Sequence, residues 1–284
     1  MEAARPTFPN HAEKYAGTPL IRPEAIVSRL REDPELVIPE SVILGYSTRL
    51  RPLLRQRGFT LVSGYSTPWH SVWLEAGQEV ANVGVVEGFG FGAPGAAIVM
   101  EELASLGVRR FITLGFAGAL AQSVDFGDVV LCTKAIRDEG VSHHYVPSAR
   151  FAYPSESLTA ELRTALAATN PPAFEGPTWT VDAIYRETIE EAQLYRDEGV
   201  LTVEMEAAAL FTIAAVREVD VAGIFTVSDH LLASPEWRAA PDKRVVLDGL
   251  RRILDVALRV LSPAGDFELR EVSDEVEGPD SPFA

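Results

Sequence analysis

The residues of this chain best suited to chemistry are two carboxylates that each follow a short apolar run. Glu206 stands in Val203-Glu204-Met205-Glu206-Ala207, and Asp229 in Thr226-Val227-Ser228-Asp229-His230. A carboxylate at the rim of a sheet can accept hydrogen bonds from hydroxyl groups, and an aspartate there can serve as a general acid or base. Two glycine-bearing segments precede them. Gly115-Phe116-Ala117-Gly118 follows the apolar run Phe111–Leu114, and Gly90-Phe91-Gly92-Ala93-Pro94-Gly95 runs into a helical pattern from Ala96 to Leu106. In open α/β sheets ligands bind beyond the carboxyl ends of strands, where close-set glycines let backbone approach them. Taken singly, each feature has a plainer explanation: Glu206 as a carboxylate favoured by a helix N-terminus, Asp229 as a turn or capping residue.

Periodicity supplies the elements that must position these residues. Ser41–Tyr46, Phe59–Ser63, Ser71–Glu75, Glu79–Val86, Arg110–Leu114, Asp128–Thr133, Thr178–Val181, Leu201–Glu204 and Val221–Val227 read as strands, with turns at Gly64 and Ala76–Gln78. Helical patterns cover Pro23–Glu32, a short piece through Leu50, Leu53 and Leu54, Ala96–Leu106 ended by Gly107, Glu156–Ala168, Glu187–Glu198, Ala207–Glu218 and Pro241–Leu261. The apolar side of the last is expected to include Val245, Leu247, Leu250, Ile253, Leu254 and Leu258. Arg137–Tyr145 reads as a polar loop. Strands alternating with helices argue for one α/β domain over 36–262 with a central mixed sheet, preceded by an arm over 1–35 and followed by an acidic, disordered tail over 263–284.

Composition narrows the partners. A chain of 284 residues, 47% hydrophobic, can bury a full core, and its net charge of -16 argues against nucleic acid. The absence of a long apolar run or signal-peptide core points to the cytoplasm and away from membranes. The single cysteine, Cys132, reads as a small buried hydrophobe. Adjacent His143 and His144 lack the spacing of a metal-ligand set, so no metal is expected.

Four ordered segments resemble the nucleoside phosphorylase family, which includes uridine phosphorylase, the hexameric purine nucleoside phosphorylases and related nucleosidases. They are Gly90–Gly95 with Glu101-Glu102-Leu103-Ala104-Ser105-Leu106-Gly107, then Gly115–Ala119, Glu204-Met205-Glu206-Ala207 and Ser228-Asp229-His230, and the likeness runs from about Val42 to Leu261. The resemblance implies a three-layer α/β/α sandwich and cleavage of an N-glycosidic bond, with inorganic phosphate as co-substrate and no cofactor. It gives Glu206 the ribose hydroxyls, Met205 the sugar face, and Asp229 the leaving base, with Lys243 or Arg244 as a basic helper. Gly45 and Arg49, in Gly45-Tyr46-Ser47-Thr48-Arg49, fall at the phosphate loop, and Gly115 and Phe116 at the substrate. Ile184 and Arg186 fall where relatives meet the base. A homo-oligomer, dimer or hexamer, is expected on the same ground.

Several positions depart from the family pattern. Thr113 stands where an arginine is usual, Phe116 replaces a phosphate-binding Thr or Ser, Ser63–Ser66 lacks an arginine, and no uracil-reading Gln-x-Arg is present around Thr188. Arg137, His143 or His144 could compensate on the phosphate side. Three functions follow: a nucleoside phosphorylase, uridine phosphorylase-like by its glycine segments though Asp229 suits a purine; a nucleosidase that uses water; and a non-catalytic nucleoside-binding protein.

Overall fold

The computed structural model describes residues 11, 13–33, 37–62, 71–75, 82–232 and 237–262. The expected turns at Gly64 and Ala76–Gln78, the segment Ser63–Ser66 and the acidic tail lie outside them. In chain order the elements are α1 (Pro23–Ile26), α2 (Ser28–Arg31), β1 (Ser41–Gly45), α3 (Leu50–Gln56), β2 (Phe59–Leu61), β3 (Ser71–Glu75), β4 (Val83–Glu87), α4 (Ala93–Leu106), β5 (Arg110–Ala119) and β6 (Val129–Asp138). They continue with β7 (Phe151–Ala152), α5 (Glu156–Ala167), β8 (Phe174–Val181), α6 (Ile189–Asp197), β9 (Thr202–Glu204), α7 (Ala207–Arg217), β10 (Asp220–His230), β11 (Arg238–Ala239) and α8 (Lys243–Leu261).

All these strands join one mixed sheet in the order β11-β10-β6-β8-β9-β5-β1-β4-β3-β2, with β7 beside β6. A further parallel pairing of β10 with β5 closes the strands β5, β10, β6, β8 and β9 into a ring. Strands β1 and β4 are buried throughout, as parallel strands covered on both faces must be. Helices α4 and α7 pack with Phe111, Phe211 and Phe225 in one core. A second core contains Ile112, Leu114, Leu158, Leu162, Leu250, Ile253 and Leu254 and takes in α3, α5 and α8. The result is the expected three-layer α/β/α sandwich.

Local chemistry sets the helix ends. Gly92, at φ 100°, precedes α4, Pro94 sits in its first turn, and Gly107 at φ 121° ends it. Asp242 caps α8 by accepting the Arg244 amide at 2.9 Å. Its buried side begins at Val246, whereas Val245 is exposed; the cap fixes the helical phase and turns Val245 outward.

Several sequence expectations change. The helix expected over Pro23–Glu32 is interrupted at Val27, whose side chain is buried. Glu187 and Thr188 precede α6, because the Thr188 hydroxyl caps it by accepting from the Glu191 amide. Most important for the site, β5 does not end at Leu114. It continues through both glycines to Ala119, because β10 pairs with it along its length and β9 joins at Gly118 and Ala119.

Candidate active site

Gly118 stands between the two carboxylate-bearing segments. On one side it is in register with Val203 of β9, which leads directly into Glu204-Met205-Glu206. On the other it is in register with Asp229 of β10. The β10 register slips between Val227 and Asp229, making Ser228 the extra residue of a bulge, a distortion that re-aims the side chain beside it. A Cβ on Gly118 would lie 2.4 Å from Leu231 Cδ1, 3.1 Å from Asp229 Oδ2 and 3.2 Å from Val203 Cγ1. Glycine is required there because side chains from both neighbours converge over its backbone.

At the β9 end, two carboxylates are buried together. Glu204 accepts the Thr180 hydroxyl at 2.5 Å and the amides of Glu206 and Ala207 at 2.8 and 2.7 Å. The Thr180 hydroxyl in turn accepts the Ala208 amide at 3.0 Å. Glu204 therefore fixes the first turn of α7. Glu206 accepts the Gly92 amide and so ties the glycine segment before α4 to the start of α7. Burial, then the charge of Glu204, pushes Glu206 well above the ordinary carboxylate range; burial does the same to Glu204. Half-buried Met205 lies between them in sequence.

At the β10 end, Asp229 is half-buried. Ser228 Oγ donates to its Oδ1 at 2.6 Å and Trp237 Nε1 to its Oδ2 at 2.8 Å. Glu187 is half-buried, and burial, then the charges of Asp229 and Glu191, pushes its carboxyl up to about 7. Ile184 and Arg186 belong to a 3-10 turn and are exposed. The turn directs them to solvent, and Glu187 after it is half-buried.

A hydroxyl pair occupies the third side. The Tyr46 ring lies over Gly115, where a Cβ would come within 2.8 Å of Tyr46 Cδ2. Its hydroxyl bonds that of fully buried Thr113, and its ring meets Phe89 edge-on at 5.4 Å. Burial and the charge of Glu206 hold the phenol well above its usual range, so it remains a neutral hydroxyl. Gly45 is pinned by Leu50, whose Cδ1 lies 2.1 Å from where a Cβ would be, and half-buried Arg49 begins α3 just beyond.

Other expected participants sit elsewhere. Phe116 shares a face of β5 with Ile112 and Leu114 and packs against the leucine-rich core on that side, away from Tyr46 and Gly115. The guanidinium of Arg244 bonds both oxygens of Asp242 at the exposed start of α8, and all its hydrogen bonds among the described residues stay there. Arg137 donates to Ser142 Oγ at 2.9 Å and to the carbonyls of Pro147 and Val146, and His143 meets the Arg137 carbonyl at 3.2 Å, so these residues brace their own loop. Cys132 is buried. Among the described residues no cluster of three His, Cys, Asp or Glu suits a metal, and no helix is long and apolar enough to cross a membrane.

Sequence reading placed Gly118 at the site but not as the junction of β9 and β10, and it did not single out Glu204 as a brace, the Tyr46–Thr113 pair, or Trp237. The intact Glu204–Ala207 tetrapeptide carried a signal for Glu204; the others depend on pairing between distant segments.

The family profile of the phosphorylase superfamily matches residues 42–262. The chain belongs to the phosphorylase superfamily. Its similar relatives include a guanosine phosphorylase of Halorubrum lacusprofundi, 32% identical over 176 residues, which span 61% of this chain and 73% of the relative. A purine nucleoside phosphorylase DeoD-type of Exiguobacterium sp. is 30% identical over 182 residues, spanning 62% and 75%. The crystal structure of uridine phosphorylase from Vibrio fischeri ES114 superposes with a TM-score of 0.68 at 26% identity, covering 79% of this chain and 92% of that one. As a member of the superfamily, the chain carries Glu206 at the start of α7 just beyond β9 and Asp229 on β10, the two strands that flank Gly118, while hydroxyls line its Tyr46 side.

Proposed function

We propose that the chain is a nucleoside phosphorylase that cleaves the N-glycosidic bond of a purine nucleoside, with inorganic phosphate as acceptor and no cofactor. The observation that carries this reading is Gly118, in register with both the Glu206-bearing and the Asp229-bearing segments. That spacing suits one nucleoside lying across β5, its ribose at Glu206 and its base at Asp229. Glu206 accepts the ribose hydroxyls and, in its ionised form, stabilises positive charge developing at the anomeric carbon. Met205 packs on the sugar, Asp229 delivers a proton to the departing base, and Arg49 with the backbone at Gly45 and Gly115 holds phosphate. The named activities of the guanosine and purine nucleoside phosphorylases favour a purine over the pyrimidine of the uridine phosphorylase. A cytoplasmic homo-oligomer is part of the same proposal.

A second reading, hydrolysis, is favoured by the Tyr46–Thr113 pair, which offers neutral hydroxyls where a dianion calls for charge-assisted donors. Base release from purine and pyrimidine nucleosides, with and without phosphate, decides between them. Phosphate-dependent release is expected. Equal release without phosphate would establish hydrolysis, and no release from any nucleoside by the folded protein would leave a binding protein.

A further inference from the structure

A fully buried carboxylate outside the Glu204–Glu206 pair has no part in the chemistry above. Glu87 ends β4 and is 0% exposed. Its Oε1 accepts Arg51 Nε at 2.7 Å and Trp73 Nε1 at 3.0 Å. Its Oε2 is buried and has no hydrogen-bond partner among the described residues. Burying a carboxylate with one oxygen unmatched is costly, and apolar side chains often replace a buried ion pair without loss of stability. Trp73 belongs to an otherwise apolar core with Leu50, Leu53 and Val85, so packing gives no reason for a charge there.

What the ion pair holds is the loop assigned to phosphate. Glu87 is in register with Gly45, where that loop leaves β1. Beyond Gly45, the Arg49 amide donates to Ser47 Oγ at 3.2 Å. The amides of Leu50 and Arg51 donate to the carbonyls of Ser47 and Thr48, both at 3.1 Å. The turn thus ends on Arg51, whose side chain returns to Glu87, and both ends of the loop close on one residue. The guanidinium also crosses Gly88, at φ 80°, where a Cβ would lie 3.0 Å from Arg51 Nη2. Gly88 begins the segment whose Gly92 amide binds Glu206, so this contact sets the loop against the ribose side. Thr113 and Phe116 add no charged donor. Phosphate is left to Arg49 and the loop backbone, whose value depends on their placement.

We infer that Glu87 is a positioning residue for the acceptor: through Arg51 it fixes the Gly45–Arg49 loop in the shape that receives phosphate. Its own carboxylate takes no part in bond cleavage. The inference rests on the phosphorolytic reading and deepens it, by naming what holds the anion site in place.

The test is initial rates across a phosphate series at saturating guanosine, in the full-length protein and in its Glu87→Leu and Glu87→Gln variants. Both substitutions remove a negative charge from the neighbourhood of a dianion, so electrostatics alone would lower the phosphate KM. Loss of positioning raises it, by about tenfold in Glu87→Leu, while the guanosine KM moves by less than about twofold. Glu87→Gln keeps an oxygen for Arg51 and Trp73, so a smaller rise in the same direction is expected. A phosphate KM that falls or stays unchanged in folded Glu87→Leu overturns the inference. Should Glu87→Leu not fold, a fall or no change in Glu87→Gln overturns it equally. Hydrogen exchange at the Tyr46–Arg49 amides reads the clamp without turnover. If the wild type releases base independently of phosphate, or releases none, phosphorolysis fails separately and exchange decides. Faster exchange confined to that loop in the folded variants supports the clamp, and unchanged exchange overturns it.

Discussion

Glu204 holds the backbone from which Glu206 projects, accepting the Glu206 amide at 2.8 Å and the Ala207 amide at 2.7 Å. Two carboxylates two residues apart thus do different work. Glu204 is bound on both oxygens by Thr180 and the first amides of α7 and acts as a positioning residue. Glu206 has one amide of the Gly92 segment and is the group assigned to ribose.

This division separates the effects of two conservative variants. Glu206→Gln is expected to lower kcat by roughly 100- to 1000-fold, the range for removing one electrostatic group at a transition state, while preserving the fold. Glu204→Gln leaves an acceptor of amide hydrogens with only one oxygen and is expected to cost about 1–3 kcal/mol of stability. Steady-state kinetics and urea denaturation measured on both variants check the contrast. Full turnover by Glu206→Gln would remove its assignment to ribose.

The same pair sets a pH dependence of stability. Both groups are raised in the folded state, chiefly by burial, so the native protein holds more protons than the unfolded chain between the ordinary carboxylate range and the raised values. Stability is therefore fully present at acid pH near the ordinary range and is lost as pH rises through the raised values. The urea midpoint is expected to fall between about pH 4.5 and about pH 8, and the fall to be shallower in Glu206→Gln. A midpoint rising over that interval in the wild type would contradict the assignment.

At Gly118 a single methyl group tests the junction. Gly118→Ala introduces a Cβ 3.1 Å from Asp229 Oδ2, and the Leu231 side chain must move to admit it. Overpacking of this kind costs about 1–3 kcal/mol. The expected outcome is a folded protein whose kcat drops at least about tenfold, since small displacements of reacting groups carry large rate penalties. Retention of full kcat with a normal melting temperature would separate Gly118 from catalysis.

Arg49→Ala addresses the acceptor. Losing a charge-assisted contact to phosphate is expected to raise the phosphate KM by about 10- to 100-fold. Initial rates across a phosphate series measure it, and an unchanged phosphate KM would place the anion elsewhere.

Much of this arrangement was legible in the sequence, and the failures share a cause. Glu206 and Asp229 were visible because short apolar runs deliver them to the sheet rim and the motifs keep their order. The glycines of β5 read as a loop because glycine is a local breaker. Pairing from β10 and β9 overrides that tendency, and with the strand unbroken Phe116 falls on the face of Ile112 and Leu114. Arg244 pairs with Asp242 at the cap of α8, an arrangement that the spacing Asp242-Lys243-Arg244 already allowed. Tyr46 and Thr113 lie 67 residues apart, so no local pattern joins them. The two-residue strands β7 and β11 exist only through β6 and β10.

The most direct measurement follows the sugar by phosphorus-31 NMR during turnover of guanosine in phosphate buffer, with released base quantified in the same sample. One ribose 1-phosphate for each base released is the predicted result, and it would show that the Tyr46–Thr113 side admits phosphate. Base release with free ribose and no ribose 1-phosphate would contradict phosphorolysis and make water the acceptor.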